Sequence, residues 1–209
     1  MMARMFSEQE KTVIREILLE KGKELFGRMG LKKTSVEDLT RAAGIAKGSF
    51  YIFFASKEEL FFDIMQSEEQ MLREKLYNDN LRDMPVTAER LKAFVLQGLR
   101  LVEESAIFKR LYIGEEFELL IRKLPAEKLN EHTDRDTGFF GPLLQQWQEQ
   151  GLIVQNTKTE VIVGAFRAIF LISLHKKELG EDIYEESLDF LLDLFCKGLI
   201  NKERAEEQS

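Results

Sequence analysis

Residues 34–60, TSVEDLTRAAGIAKGSFYIFFASKEEL, encode two short helices, a glycine turn and the start of a longer helix. Thr34 or Ser35 can cap the first helix, because each is followed three residues later by an acid. An apolar stripe at helical spacing then runs to Gly44, where glycine lets the chain leave a helix with a positive φ. This order of elements is typical of a helix-turn-helix that reads DNA.

The next segment, residues 47–54 (KGSFYIFF), is too short for an independent helix. Its aromatic residues need a packing surface, so it is predicted to dock on its neighbours. Ser56 and Glu59 form a capping box that opens the following helix. Lys57 lies in the first turn of that helix and opposes its dipole, which is explained either by a bound phosphate or by chance.

These residues resemble the N-terminal domain of the TetR (tetracycline repressor) family of one-component regulators. The family pattern is Thr-Val-x-Asp-Ile-Ala-x-x-Ala-Gly-Val-Ser-x-Gly-x-Leu-Tyr-x-Tyr-Phe-x-x-Lys-x-x-Leu. The chain matches this pattern, by identity or close substitution, at Thr34, Val36, Asp38, Leu39, Ala43, Gly44, Ile45, Gly48, Phe50, Tyr51, Phe54, Lys57 and Leu60. The first helix also fits, through Ile17, Leu18, Leu25, Phe26 and Gly30. The resemblance covers about the first sixty residues.

Four positions depart from the family pattern. Ala46 replaces the serine that usually caps the recognition helix, which costs about 0.5 to 2 kcal/mol. Ile52 replaces a polar residue and offers a base only apolar contact, for example with a thymine methyl. Phe53 stands where tyrosine is common, and Gly22 where alanine is usual.

The resemblance implies the DNA contacts. By motif position, Thr34, Tyr51 and Lys57 are assigned to the phosphate backbone. Lys47, Gly48 and Ser49 are assigned to the start of the recognition helix, where base edges can be reached. Gly48 is expected there because a side chain would obstruct close approach of the backbone.

The charge distribution agrees with these contacts. The chain has 209 residues and a net charge of −7, which alone argues against a nucleic-acid partner. Residues 1–57 nevertheless carry 11 Lys and Arg against 7 Asp and Glu, a net +4, and the rest carries −11. A basic segment is more often a solvated face than a binding site, so this charge asymmetry supports DNA binding only in combination with the motif.

The remaining composition favours a cytoplasmic globular protein. No apolar run reaches the roughly 18 residues that span a bilayer, and no signal-peptide pattern opens the chain. The single Cys196 is predicted to be a core thiol rather than a redox sensor. The two histidines are far apart in sequence, so no metal site and no cofactor is expected.

The whole chain is predicted to be all-α, because no useful period-two alternation occurs. We expect a three-helix DNA-binding domain in residues 1–57 and a helical ligand-binding and dimerisation domain in residues 58–209. The first helix is predicted to run from Ser7 to Met29, and the fourth from Ser56 to the polar break at residues 78–80. Later helices are predicted near residues 87–104, 106–124, 137–150, 159–178 and 183–202.

The last two long helices carry more apolar residues than one core needs. Residues 161–174, VIVGAFRAIFLISL, are apolar on nearly every face apart from Arg167. The final helix has a second apolar stripe at Phe190 and Leu194. A homodimer interface at Ala168, Phe190 and Leu194 is predicted, as the resemblance also implies. A core formed completely within one chain is the alternative. Arg167 is expected to pair with an acid of a second subunit or with an anionic ligand.

Aromatic residues of the C-terminal part suggest an apolar pocket for a small-molecule effector. The candidates are Phe108, Tyr112, Phe140, Trp147 and Phe166, although such residues at helical spacing are usually core. The sequence contains no catalytic constellation, so an enzyme is not expected. The predicted function is a ligand-responsive repressor that binds a double-stranded, pseudo-palindromic operator as a dimer. A helical carrier or adaptor that keeps the N-terminal fold without binding DNA is the alternative.

Overall fold

The computed structural model describes residues 6–113, 116–173 and 175–201. Its helices are α1 (Glu8–Met29), α2 (Val36–Ala43), a 3₁₀ helix (Lys47–Ile52), α3 (Lys57–Asn80), α4 (Ala88–Glu104), α5 (Ala106–Ile113), α6 (Glu116–Lys123), α7 (Ala126–Glu149), α8 (Thr159–Ser173), α9 (Lys176–Leu179) and α10 (Tyr184–Leu199). The all-α prediction is confirmed. Among the described residues, the β structure is one isolated bridge between Ile153 and Ile200.

Local capping signals set the ends of the first two helices. Ser7 caps α1 in a reciprocal capping box with Glu10, and Ser35 does the same for α2 with Asp38. Gly30 follows α1 with φ 82°, and Gly44 follows α2 with φ 70°. Residues with a Cβ rarely adopt such angles, so the predicted glycine stops are confirmed.

The chain divides into two compact units, and their border does not fall at residue 57. The first unit contains Met1–Gln70 and Glu103–Pro125, and the second contains Met71–Val102 and Ala126–Ser209. The first part of α3, together with α5 and α6, therefore belongs to the unit that holds the helix-turn-helix. The division into a DNA-binding domain of 57 residues and a second domain stays a functional proposal.

Close packing of α1 on α3 organises the first unit. The rings of Phe26 and Phe61 meet edge to face with their centroids 5.2 Å apart. A Cβ placed on Gly22 would lie 2.8 Å from Cδ1 of Ile64, so an alanine here would require the end of the Ile64 side chain to shift. This close contact accompanies the departure of Gly22 from the family pattern.

The helices predicted over residues 106–150 match the structure in part. The helix predicted over residues 106–124 corresponds to α5 and α6, and Gly114 and Glu115 lie outside the described residues. The predicted start of α7 at residue 137 is wrong, since α7 begins at Ala126, directly after Pro125. The first eleven residues of α7 are mostly polar and give little apolar periodicity, and Pro142 inside the helix resembles a break signal.

The last helices are shorter than predicted because other groups satisfy their ends. α8 ends at Ser173, whose hydroxyl donates to the Phe170 carbonyl at 2.6 Å and whose carbonyl accepts from the Tyr184 hydroxyl at 3.2 Å. α10 ends at Leu199, whose carbonyl accepts from the Val154 amide at 2.9 Å. The chain after α10 thus pairs with the loop before α8.

The second unit holds a large apolar core. Its buried residues include Leu91, Trp147, Ile162, Leu192 and Cys196. Burial raises the pKa of the Cys196 thiol to about 11, so the thiol is protonated and unreactive at neutral pH, and the prediction of a core thiol is confirmed. In the described part of the chain, no helix is long and apolar enough to span a membrane.

Candidate nucleic-acid interface

The recognition element is the six-residue 3₁₀ helix. Phe50 is fully buried and anchors it, and the Phe50 ring packs against Phe54 with centroids 5.9 Å apart. Amides of Ser49 and Phe53 donate to the carbonyls of Ala46 and Phe50, each at 2.9 Å. Ala46 provides no side-chain cap, as its identity predicts. The helix is therefore held by docking rather than by its own stability.

Lys47, Gly48, Tyr51 and Ile52 form the exposed face of this helix, opposite the buried Phe50. Tyr51 is 60% exposed, although its ring is large and the neighbouring Phe50 and Phe54 are buried. A Cβ built on Gly48 would meet no atom within 4 Å, and its φ is not positive. Within the part of the chain that the structure describes, no contact requires glycine at this position.

The start of α2 gives Thr34 a different role from the predicted phosphate contact. Ser35 is the cap, because its hydroxyl accepts a hydrogen bond from the Asp38 amide at 3.1 Å. The same hydroxyl donates to the Asp38 carboxylate and thereby lowers the pKa of Asp38. Thr34 is fully buried, and its hydroxyl donates to the Gly30 carbonyl at 2.7 Å. In this conformation the Thr34 side chain fixes the loop before α2 and cannot touch a phosphate.

Lys57 also serves the same loop. Its ammonium donates to the carbonyl oxygens of Leu31 and Thr34, each at 2.7 Å, and to that of Lys32 at 3.4 Å. An ammonium has three donors, so these contacts occupy all of them. Hydrogen bonds from a charged group contribute about 1.5 to 3 kcal/mol each. The geometry therefore gives Lys57 a positioning role and leaves a direct phosphate contact as an untested prediction.

Among the described residues, the exposed Lys47 and Arg41 of the helix-turn-helix pair with acids of α2. Lys47 lies 3.6 Å from Glu37, and Arg41 lies 2.8 Å from Asp38. Pairs this exposed contribute little free energy, because water and salt screen them. Lys47 can exchange Glu37 for a phosphate or a base edge at small cost.

Two functional residues escaped the sequence analysis. Arg110 of α5 donates to the carbonyls of Gly27 at 2.8 Å and Arg28 at 2.6 Å, at the end of α1. Glu116 of α6 accepts from the Leu31 amide at 2.9 Å through Oε1. The α1–α2 loop is thus held by α5 and α6 as well as by α3. No local pattern reveals contacts between residues more than eighty positions apart.

Comparisons with known proteins place this geometry in a family. Residues 18–64 match the family model described as bacterial regulatory proteins, tetR family. The probable acrEF/envCD operon repressor of Escherichia coli (strain K12) is 29% identical over 207 residues, which is 90% of each protein. The chain belongs to the TetR family.

Two further known proteins are similar to this chain. An uncharacterized HTH-type regulator of Bacillus subtilis (strain 168), YuxN, is 30% identical over 140 residues, which cover 64% of this chain but only 46% of YuxN. The crystal structure of a TetR-family transcriptional regulator from Pectobacterium atrosepticum superposes with a TM-score of 0.71. It covers 94% of this chain and 99% of its own, and at 18% identity it supports the fold alone.

In this TetR family chain, the structure brings together only part of the predicted effector site. Phe140, Trp147 and Phe166 lie in one apolar cluster of the second unit, where Phe94 packs edge to face on Phe140 and Phe166 with centroids 5.5 and 6.3 Å away. Phe108 is buried in the first unit, and the side chain of Tyr112 lies outside the described residues. The five residues do not form one described pocket.

The predicted dimer residues are exposed within the single chain. Phe190 is 66% and Leu194 58% exposed on α10, and Ala168 is exposed on α8. Further exposed apolar residues of α8 at compatible helical spacing are Val161, Leu171 and Ile172. Large exposed apolar areas of this kind mark interaction surfaces. The exposure of this face within one chain is compatible with the predicted homodimer interface on α8 and α10, which stays a prediction.

Arg167 of α8 has a partner inside its own unit. Its Nη2 lies 3.4 Å from Oδ2 of Asp136, which also pairs with Arg73 at 3.1 Å. These contacts join α3, α7 and α8. They supply an acid for Arg167 without the partner subunit or the anionic ligand that the sequence suggested.

Proposed function

We propose that this protein is a transcriptional repressor that binds a pseudo-palindromic operator as a homodimer and releases it when a small apolar or amphipathic molecule binds. The observation that carries the proposal is the exposed face of Lys47, Gly48, Tyr51 and Ile52 on a helix docked by Phe50. Family regulators bind DNA operators and small-molecule effectors in general. The site of action would be the cytoplasm, where bacterial operators lie.

Residues of the helix-turn-helix and of the loop before it have distinct proposed roles. Lys47 and Ser49 would reach base edges, and the Tyr51 hydroxyl would contact a phosphate. Ile52 would give apolar contact with a thymine methyl. Thr34 and Lys57 would act indirectly. They would fix the loop before α2, so that the capped amino end of α2 faces the phosphate backbone of the DNA.

DNA binding is tested by selecting bound duplexes from a random pool and measuring affinity against salt concentration. We expect an inverted repeat, because a two-fold dimer presents two identical heads about 34 to 36 Å apart. Affinity should fall steeply with salt, with a slope of about −0.9 in log K against log salt for each phosphate neutralised. A flat salt response, or equal affinity for every sequence, would support the carrier or adaptor instead.

Two variants separate the roles within the same assay. Tyr51→Phe removes a hydroxyl proposed to touch phosphate, so affinity should fall by a similar factor on every duplex. Lys47→Ala should also change the preference among bases. If both variants bind selected and scrambled DNA like the parent, the 3₁₀ helix does not enter the groove.

The aromatic cluster of Phe140, Trp147 and Phe166 is the proposed effector site. Its rings pack against neighbouring rings in this conformation, so a ligand would bind by displacing some of these side chains. α3 is the proposed transmitter, since it begins beside the 3₁₀ helix and extends into the second unit. A ligand releases DNA only if it favours a conformation that fits the operator poorly.

Fluorescence of the lone Trp147 offers a direct test of the effector site. Apolar and amphipathic compounds that raise thermal stability should quench Trp147, and saturation with them should release the operator. Operator DNA should weaken ligand binding by the same factor, because the coupling is reciprocal. Trp147→Phe controls for optical artefacts, since it removes the signal. Compounds that quench Trp147 yet leave operator affinity unchanged at saturation would end the ligand-switch half of the proposal.

A further inference from the structure

A basic cleft lies in the first compact unit, beside the loop that leads into α2. Its volume is about 1060 Å³. Its walls come from the end of α1, the α1–α2 loop, α5 and α6. The lining residues are Arg28, Met29, Lys32, Lys33, Lys109, Arg110, Glu116, Glu118, Leu119 and Arg122.

Positive charge dominates this cleft. Six of the ten lining residues are Lys or Arg and two are Glu. Within the described part of the chain, Arg28, Lys32, Lys33 and Lys109 have neither an ion pair nor a side-chain hydrogen bond. Converging cations in a concave site repel one another and concentrate anions from solution.

The two acids of the cleft repel an incoming anion only weakly, because one is paired with a cation and the other is partly buried. Glu118 pairs with Arg122 at 2.9 Å. Glu116 accepts from the Leu31 amide through Oε1, while its buried Oε2 has no hydrogen-bond partner among the described residues. Burial raises the pKa of Glu116, so its carboxyl opposes an incoming anion less than a solvated carboxylate would.

We propose that this cleft binds a small molecule that carries several phosphate charges. Cations on both the loop and α5 can contact such a ligand together, and the concave shape suits a compact molecule. DNA would have to bring a continuous phosphate backbone into the concavity past Glu116 and Glu118, which fits the shape and the charges less well. No residue of this cleft belongs to the exposed recognition face.

Occupation of the cleft would also alter operator affinity, a consequence that rests on the proposed function. Lys32 and Lys33 precede the α2 cap by two or three residues, whereas Lys109 belongs to α5. A polyphosphate that bridges them adds a tie between the loop and α5, next to the bonds that Arg110 already makes to Gly27 and Arg28. The loop sets the position of α2, so a ligand that binds the DNA-competent loop conformation and the alternative conformation with different affinities would change the DNA-competent population.

Inorganic pyrophosphate is the probe for the cleft, titrated calorimetrically into the full chain at low ionic strength. We expect one saturable site per chain, with clearly weaker binding of sulfate at matched ionic strength. Lys33→Ala with Lys109→Ala should weaken pyrophosphate binding about tenfold or more, since two charge-assisted contacts are lost. Both side chains are exposed, so the fold should persist, as a thermal melt will verify.

The matched control removes two exposed lysines of the second unit, Lys158→Ala with Lys177→Ala. It changes net charge equally and should bind pyrophosphate like the parent. Equal losses in both double variants, or pyrophosphate binding no tighter than sulfate, would overturn the site. A cleft variant that loses DNA affinity while the parent ignores pyrophosphate would assign the cleft to DNA and also overturn it. If the protein binds pyrophosphate but no DNA duplex, the proposal of an anion site stands and the proposal of a repressor fails.

Discussion

Gly48→Ala is expected to leave the protein at least as stable as the parent while it weakens operator binding about tenfold to a hundredfold. The φ of Gly48 is not positive, and a Cβ there meets no atom within 4 Å. Replacing such a glycine removes freedom from the unfolded chain and stabilises by about 0.4 to 1 kcal/mol. On DNA, however, the methyl group would enter a close-packed interface, where overpacking costs about 1 to 3 kcal/mol.

The matched control is Gly138→Ala in α7. Gly138 is also exposed, with no atom within 4 Å of its virtual Cβ, but it lies in the second unit. Thermal melts should show both variants as stable as the parent or more so. Gel shift or anisotropy with the selected operator should show a loss for Gly48→Ala alone. Full affinity in Gly48→Ala would mean that the 3₁₀ helix backbone does not approach the DNA closely.

The first two helices were predictable because their signals are local. A serine with an acid three residues later, and a glycine at the end of each helix, fix α1 and α2 within the sequence window that defines them. The choice between Thr34 and Ser35 as cap was not fixed in this way, since both have an acid at the right distance. Packing decides it, because Thr34 turns inward to the Gly30 carbonyl.

The candidate site beyond the helix-turn-helix was predictable only in part. Lys57 was singled out for its unfavourable position in the first turn of α3, and in the structure its ammonium donates to three loop carbonyls that no sequence pattern indicated. The roles of Arg110 and Glu116 depend on how α5 and α6 meet the loop, and no sequence period encodes that meeting. The aromatic residues chosen for one pocket fall into both units, because helical spacing does not distinguish a cavity wall from a core.

Ala168→Glu combined with Leu194→Glu is expected to convert the dimer to a folded monomer. Both positions are exposed in the single chain, Leu194 by 58%, so the glutamates need not disturb the core of either unit. In a dimer joined through α8 and α10, the same positions would be desolvated. An unpaired buried charge costs about 3 to 5 kcal/mol, and the two-fold axis doubles each substitution.

Sedimentation velocity at micromolar concentration is the measurement, and Met71→Glu with Met84→Glu is the matched control. Met71 is 50% and Met84 44% exposed, on α3 and in the loop that follows it, so the control adds the same charge away from α8 and α10. The control should remain dimeric. The interface variant should sediment as a monomer with a parent-like circular dichroism spectrum, and it should lose affinity for the full inverted repeat because one head holds only one half-site. A variant that stays dimeric would place the interface on another surface and leave the exposed face of Phe190 and Leu194 for a different partner.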